Sequence, residues 1–141
     1  MSYRFTILGC GSSGGVPRIG MDWGACDPQN PKNRRLRCSA LFERIGTGGQ
    51  TAVLVDTSPD FREQILRARI MALDGVVYTH DHADHTHGID DLRMVAFAMK
   101  RRVDVYFDAA TGRSLTERFA YCFKTPEHSA YQPILTGHMI D

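Results

Sequence analysis

The sequence of 141 residues predicts one α/β fold with layered strands and helices (α+β layered), extending over residues 1–141. Two observations predict it: short β-branched and aromatic runs alternate with helical patterns, and no repeat or low-complexity tract separates them. A hydrophobic content of 43% and a net charge of +1 are typical of a soluble globular domain without a strong nucleic-acid signal. Because no apolar run approaches the ~20 residues of a membrane span and the start lacks a signal-peptide plan, we expect a cytoplasmic protein with no membrane partner.

The first part of the chain is predicted to form three strands, Arg4–Gly9, Ser39–Arg44 and Thr51–Asp56. A long loop rich in glycine, proline and asparagine covers Gly11–Asn33, and the turn Thr47-Gly48-Gly49-Gln50 joins the second and third strands as a hairpin.

The second part alternates between helices and strands. Pro59–Ala68 is predicted as a helix with Ser58 as its N-cap and Pro59 at the first helical position. The later elements are a strand, an amphipathic helix, a strand and a second amphipathic helix, at Gly75–Thr79, Asp90–Lys100, Val103–Phe107 and Ala110–Phe123.

The segment His80-Asp81-His82-Ala83-Asp84-His85 predicts a metal site directly after a strand. Imidazoles and carboxylates are the usual nitrogen and oxygen ligands of zinc, manganese and iron. His80 and His82 lie two apart on an extended segment and can face one ion, whereas Asp84 and His85 follow as the chain turns, point elsewhere and suit a second ion. Two ions roughly 3.5–4 Å apart could share a water-derived hydroxide.

Two residues near the motif are candidates for a supporting role. Asp56 ends a strand and could orient a ligand histidine through a hydrogen bond. His87 is expected either to support a ligand in this way or to be exposed, and Asp81 is expected to face away from the ions.

Three other patterns are less specific. Gly9–Gly14 matches the Gly-x-Gly-x-x-Gly nucleotide fingerprint, but Pro17 argues against the helix that this fingerprint requires. The basic run Lys32–Arg37 is either a phosphate contact near the metals or a solvated loop. The four cysteines lack a Cys-x-x-Cys pair and are expected to be free thiols.

The run Thr79–His85 resembles the His-x-His-x-Asp-His motif of the metallo-β-lactamase superfamily. Further runs resemble one branch of it, which contains the phosphoribosyl cyclic phosphate phosphodiesterase of phosphonate breakdown: Tyr3–Ser13, Asp22–Pro28, Pro31–Arg35, Val53–Thr57 and His85–Arg93. The resemblance implies a four-layered αββα sandwich of two similar halves, with metals at the edge between the sheets. Such a sandwich is much longer than this chain, which therefore looks like its amino-terminal half. We expect one sheet face or edge to be exposed, and a homodimer is compatible with that exposure.

The same resemblance implies that His80 and His82 bind the first ion and that Asp84 and His85 bind the second. Further ligands in the family come from later segments, but here only His128 and His138 follow the motif, and both are expected in exposed loops or turns. The implied activity is that of a metal-dependent hydrolase, a phosphodiesterase for a small cyclic or nucleotide-like phosphodiester, with two divalent ions (Zn or Mn, or Fe) and Asp84 as catalytic anchor of the hydroxide. Two alternatives stay open: a tRNA 3′-end endoribonuclease-like nuclease, which needs an RNA-binding arm and a basic face, and a non-catalytic metal-binding module.

Overall fold

Six strands in the sequential order β1-β2-β3-β4-β5-β6 form one mixed sheet in the computed structural model, which describes residues 1–140. Strands β1 to β3 pair antiparallel, whereas β3 to β6 pair parallel. The hairpin between β2 and β3 confirms the predicted turn. The strand bounds are β1 Ser2–Gly9, β2 Ser39–Gly46, β3 Gly49–Val55, β4 Gly75–Val77, β5 Val103–Phe107 and β6 Leu135–Met139.

Five α-helices lie within residues 1–140, and the loop after β1 contains none of them. Short 3₁₀ turns add Pro31–Asn33 in this loop and Ile89–Asp91 before the third α-helix. None of these helices is long and apolar enough to cross a membrane. The helix bounds are α1 Phe61–Ala68, α2 Ala83–Thr86, α3 Leu92–Met99, α4 Ala109–Arg118 and α5 Ala120–Phe123.

The start of α1 differs from the sequence prediction. The helix begins at Phe61 with Asp60 as its N-cap, so the predictions of Pro59 as the first helical residue and Ser58 as the N-cap were wrong. The Ser58 hydroxyl accepts the Asp60 N–H at 3.1 Å and donates to the Gln64 side chain at 3.0 Å. Ser58 therefore stabilises the turn before the helix.

Three other predictions of secondary structure were also wrong. Strand β4 ends at Val77, two residues before the predicted end. The predicted helix Ala110–Phe123 is two helices, because Phe119 has the non-helical dihedrals φ −121° and ψ 39°. His138 lies within strand β6 and not in a turn.

Alternation along the strands gives the sheet one buried and one exposed face, because successive side chains of a strand point to opposite sides. The helices cover the buried face, where large apolar side chains from both layers form the core. Strand residues in this core include Leu41, Leu54, Val76, Val105 and Leu135, and helix residues include Phe61, Ile65, Leu92, Val95 and Leu115.

The opposite face of the sheet, here called the open sheet face, is not covered by any helix among residues 1–140. Tyr3, Phe5 and Ile7 of β1 are 76%, 56% and 64% exposed. Phe42 of β2 is 52% exposed, and its ring centroid lies 4.6 Å from that of Phe5. The expectation that one sheet face is exposed is therefore confirmed.

The strand directions bring several loops to one edge of the sheet. Because β1 and β3 are both antiparallel to β2, and β3, β4 and β5 are parallel, the carboxyl ends of these four strands lie at the same edge. The long loop after β1, Asp56 after β3 and the histidine-rich segment after β4 therefore meet there, which is where open parallel sheets commonly place their sites.

Candidate metal centre

Three of the four histidines of the histidine loop (residues 79–88, which follow β4) converge at this edge of the sheet. The ring centroid of His80 lies 4.6 Å from that of His82 and 4.1 Å from that of His85. The loop achieves this because His82 is extended, with φ −65° and ψ 150°, and caps the single-turn helix α2, which returns His85 toward His80. The sequence predicted that Asp84 and His85 point away from the first pair. In the structure, His85 faces His80 and Asp84 lies beside His85, so this prediction was wrong.

A carboxylate at the end of β3 orients one of these rings. Asp56 Oδ2 lies 2.7 Å from His85 Nδ1, and the Asp56 side chain is only 4% exposed. When Nδ1 donates to Asp56, the lone pair of Nε2 is free to face an ion. This is the contact that the predicted orienting role of Asp56 requires.

Asp56 is itself fixed by the start of the histidine loop. Its Oδ1 accepts the Thr79 N–H at 2.8 Å, and its Oδ2 accepts the Thr79 hydroxyl at 2.7 Å. Asp56 has φ 60°, a left-handed conformation that aspartate tolerates better than most residues. The sequence indicated Asp56 by its place at a strand end, but nothing in the pattern indicated Thr79 as its partner.

Backbone hydrogen bonds join the segment after β3 to the histidine loop. The Thr57 N–H donates to the His85 carbonyl at 2.9 Å, and the Gly88 N–H donates to the Thr57 carbonyl at 2.9 Å. The buried Thr57 hydroxyl lies 2.9 Å from the Tyr78 hydroxyl. Burial of the Tyr78 side chain raises the pKa of that hydroxyl. We call these contacts of Thr57 the threonine latch.

Gly88 is the position where the latch tolerates no side chain. A Cβ at Gly88 would collide with the Ser58 carbonyl oxygen and would lie 2.7 Å from Phe61 Cβ. The glycine therefore permits the close approach of the two loops. Sequence reasoning did not assign this role, although a glycine three residues after the last ligand is the kind of signal that could have indicated it.

Two further residues of the loop, Asp81 and His87, face away from the histidine cluster. Asp81 accepts a hydrogen bond from the Ser114 hydroxyl at 2.7 Å, and this bond lowers the pKa of Asp81. His87 is exposed, and its ring lies edge-on to Phe119 with 5.6 Å between centroids. Asp81 therefore points to α4, as expected, and His87 takes the exposed alternative of its two predicted positions.

The donor set fits a divalent ion in chemistry and direction, but it is incomplete. His85 Nε2 lies 3.4 Å from Asp84 Oδ2, so these two atoms face each other as two ligands of one ion would. No group of three or more His, Cys, Asp or Glu side chains within residues 1–140 has an arrangement that could hold an ion. Since catalytic zinc sites take about three protein ligands, further donors are needed beyond the histidine loop.

His138 and His128 do not supply these donors in the described part of the chain. His138 Nε2 lies 2.7 Å from Asp104 Oδ1, and its ring stacks on Tyr106 with 4.9 Å between centroids. His128 is exposed in the loop between α5 and β6. All four cysteines carry free thiols, and Cys122 is a buried residue of α5.

Comparison with protein families gives one match over much of the chain. Residues 51–141 match the family described as the Beta-lactamase superfamily domain. This range is more than half of the chain and includes the whole histidine loop, Asp56 and the threonine latch.

Solved structures give the same fold. The chain aligns over its full length with a diphosphatase from the PhnP family at 40% identity and a TM-score of 0.83, and it covers 51% of that chain. It also aligns with the Zn²⁺-bound PqqB of Methylobacterium extorquens at 18% identity and a TM-score of 0.68, covering 99% of this chain and 46% of that one. The short form of human tRNase Z aligns at 16% identity and a TM-score of 0.55, covering 99% of this chain and 47% of that one. At such identities the last two show the fold alone.

A curated relative is similar to most of this chain but is much longer. A protein of Porphyromonas gingivalis named octanoyltransferase is 39% identical over 121 residues, which are 86% of this chain and 24% of that protein. The chain thus spans about a quarter of this relative and about half of the diphosphatase. The name octanoyltransferase belongs to a protein about three and a half times as long, and it does not assign octanoyl transfer to this chain.

Proposed function

Because this chain belongs to the beta-lactamase superfamily, we propose that it contributes the histidine loop of a metal-dependent hydrolase that cleaves phosphodiesters. The observation that carries the proposal is the convergence of the His80, His82 and His85 rings beside Asp84, with Asp56 holding the His85 ring in place. A solvated histidine-rich loop would not need a buried carboxylate to orient one of its rings.

The likeness to the diphosphatase supports a phosphoryl substrate. At 40% identity over the full chain, this likeness is well above the level that shows a shared fold alone. A diphosphate and a phosphodiester have the same reacting centre, a phosphorus atom that water attacks while an oxygen leaves. We favour a cyclic or nucleotide-like phosphodiester with two divalent ions, zinc or manganese.

Each residue of the centre has a separate task in this proposal. His80 and His82 would hold one ion, and Asp84 and His85 would hold the other. Two such ions would lower the pKa of water and stabilise the negative charge on the phosphoryl oxygens. Asp84, a member of the second ligand pair, would also anchor the attacking water.

Hydrolysis of bis(p-nitrophenyl) phosphate, after removal of metal and readdition of Zn²⁺ or Mn²⁺, tests the proposal. We expect His82→Ala to abolish metal-dependent hydrolysis and to remove about one bound ion per chain in elemental measurements. The His82 ring makes no hydrogen bond within residues 1–140, so this variant should fold. His128→Asn is the matched control, because it removes an exposed imidazole from another loop. Metal content and hydrolysis that are unchanged in His82→Ala would refute the assignment.

A further inference from the structure

A groove of about 620 Å³ lies beside the loop that follows β1, and we call it the arginine groove. One wall is the segment 13–19, and the other is the segment 34–37 with two residues around α1. Five arginines but one carboxylate, Asp60, line it among residues 1–140. The lining arginines are Arg18, Arg34, Arg35, Arg37 and Arg67.

Part of this positive charge has no partner in the described residues. Arg37 forms a bidentate pair with Asp60 at 2.7 and 2.9 Å, which raises the pKa of Arg37 and lowers that of Asp60. Arg34 and Arg35 form no ion pair within residues 1–140. Arg34 instead lies over the Trp23 ring, with its guanidinium carbon 5.7 Å from the ring centroid. The Arg35 guanidinium donates one long hydrogen bond, of 3.5 Å, to Asn33 Oδ1. Because no carboxylate within residues 1–140 pairs with Arg34 or Arg35, both exposed guanidinium groups can bind an anion.

The walls of the groove are held together by the backbone. The Val16 N–H donates to the Arg35 carbonyl and the Arg35 N–H to the Val16 carbonyl, both at 2.9 Å. Gly15 has φ 71°, and a Cβ there would lie 3.2 Å from the Arg35 carbonyl oxygen. A Cβ at Gly14 would lie 3.0 Å from Arg18 Cγ. The glycines thus let the loop close on the basic segment and fix where the arginine side chains begin.

The groove and the histidine loop lie at the same edge of the sheet. Gln64 Nε2 donates to the Arg37 carbonyl at 2.8 Å, and Gln64 Oε1 accepts the Ser58 hydroxyl at 3.0 Å. Thr57, the residue before Ser58, is the centre of the threonine latch. None of the histidines lines the groove, although the Asp84 carboxylate is close enough to Arg37 to contribute to raising the pKa of Arg37.

We propose that the arginine groove binds the phosphate group of a small organic phosphate, independently of any metal in the histidine loop. The planar guanidinium group matches the oxygens of a phosphate with paired hydrogen bonds, and two unpaired guanidinium groups match its double charge. The apolar side chains of Val16, Pro17, Ile19 and Leu36 in the same walls suit the organic part of such a ligand. The volume is also in the range of small-molecule sites.

Titration of the metal-free chain with inorganic phosphate, followed by ³¹P NMR in the presence of EDTA, tests this site. We expect saturable binding of one phosphate with a Kd of about 1 mM or tighter. The double variant Arg34→Gln/Arg35→Gln should weaken binding by at least about tenfold, because each charged contact contributes substantially. The variant Arg34→Lys/Arg35→Lys keeps the positive charge but loses the paired N–H donors of guanidinium. Its affinity for phosphate should lie between that of the unmodified chain and that of the glutamine variant.

Two controls make the outcome specific. Lys100→Gln/Arg102→Gln removes the same charge from exposed residues of another loop and should leave phosphate binding within about twofold. His82→Ala should also leave it unchanged, so a failure of the metal proposal does not affect this test. Absence of saturable binding, or equal binding by the Arg34→Gln/Arg35→Gln variant, would overturn the proposal. An RNA hexanucleotide that binds the groove more tightly than phosphate, and loses this binding in that variant, would overturn the small-molecule assignment.

Discussion

Replacement of Asp56 by asparagine should weaken metal binding although Asp56 does not itself face an ion. The carboxylate accepts three hydrogen bonds, two from Thr79 and one from His85 Nδ1. Asparagine has one oxygen acceptor and an amide group that only donates. It cannot accept all three bonds in either orientation of the amide.

Each orientation has a definite cost. If the amide NH₂ faces His85, the imidazole accepts at Nδ1 and carries its proton on Nε2, the atom that should bind the ion. If the NH₂ faces the Thr79 N–H, two donors oppose each other in a site where Asp56 is 4% exposed. The loss of one charged hydrogen bond gives a decrease in the free energy of unfolding of about 1.5–3 kcal/mol. The move of the His85 proton from Nδ1 to Nε2 gives a 10–100-fold loss of zinc affinity, or about 1.4–2.7 kcal/mol.

The two effects are measured separately. Competition with a chromophoric chelator gives the zinc affinity, and urea denaturation gives the free energy of unfolding. Asp104→Asn is the matched control, because Asp104 also accepts from a histidine, His138, at 2.7 Å, but on the strand pair β5–β6. We expect that control to keep its zinc affinity. A folded Asp56→Asn variant that binds zinc as tightly as the unmodified chain would refute the orienting role of Asp56.

Three further predictions follow from other contacts. Gly88→Ala should lower the free energy of unfolding by at least about 2 kcal/mol in urea denaturation, because its Cβ meets the Ser58 carbonyl oxygen; a neutral effect would contradict the close approach. Asp60→Asn should destabilise the chain more at pH 7 than at pH 3. The pKa of Asp60 is lowered in the folded state by Arg37, so its contribution is present above the unfolded pKa and is lost as the pH falls through the folded pKa; a penalty equal at both pH values would contradict this. Cys122 should resist iodoacetamide at pH 8 while the exposed thiols react, as mass spectrometry would show, since burial raises the pKa of Cys122 to about 11; labelling at equal rates would contradict its burial.

The sequence was sufficient for the elements that local pattern determines. The strands with β-branched runs, the hairpin and the place of the histidine loop after β4 all agree with the structure. Strand β6 was missed because Gly137 and His138 are weak strand formers and resemble a turn. Parallel pairing with β5 overrides this preference. A Cβ at Gly137 would lie 2.8 Å from Phe107 Cζ, so the glycine is there for packing and not for a turn.

The candidate site was predictable in its residues but not in its arrangement. The motif indicated His80, His82, Asp84 and His85, and the strand end indicated Asp56. The spacing alone suggested that His85 points away from His80, because it contained no information that α2 would bring the chain back. The threonine latch is formed between backbone groups distant in sequence, and side-chain patterns contain no record of such bonds. The arginine groove likewise depends on how the loop after β1 folds against Arg34–Arg37.

The threonine latch also bears on how metal loading would proceed. It fixes the backbone within and just after α2, at His85 and Gly88, through bonds that involve no ion. In small zinc domains the metal supplies the folding free energy, so that chelation unfolds them. Here the neighbouring residues already order the loop, so an ion does not have to order it on binding. Addition and removal of a metal ion should therefore both leave the chain folded. Exchange of zinc for manganese should leave the far-ultraviolet circular dichroism unchanged.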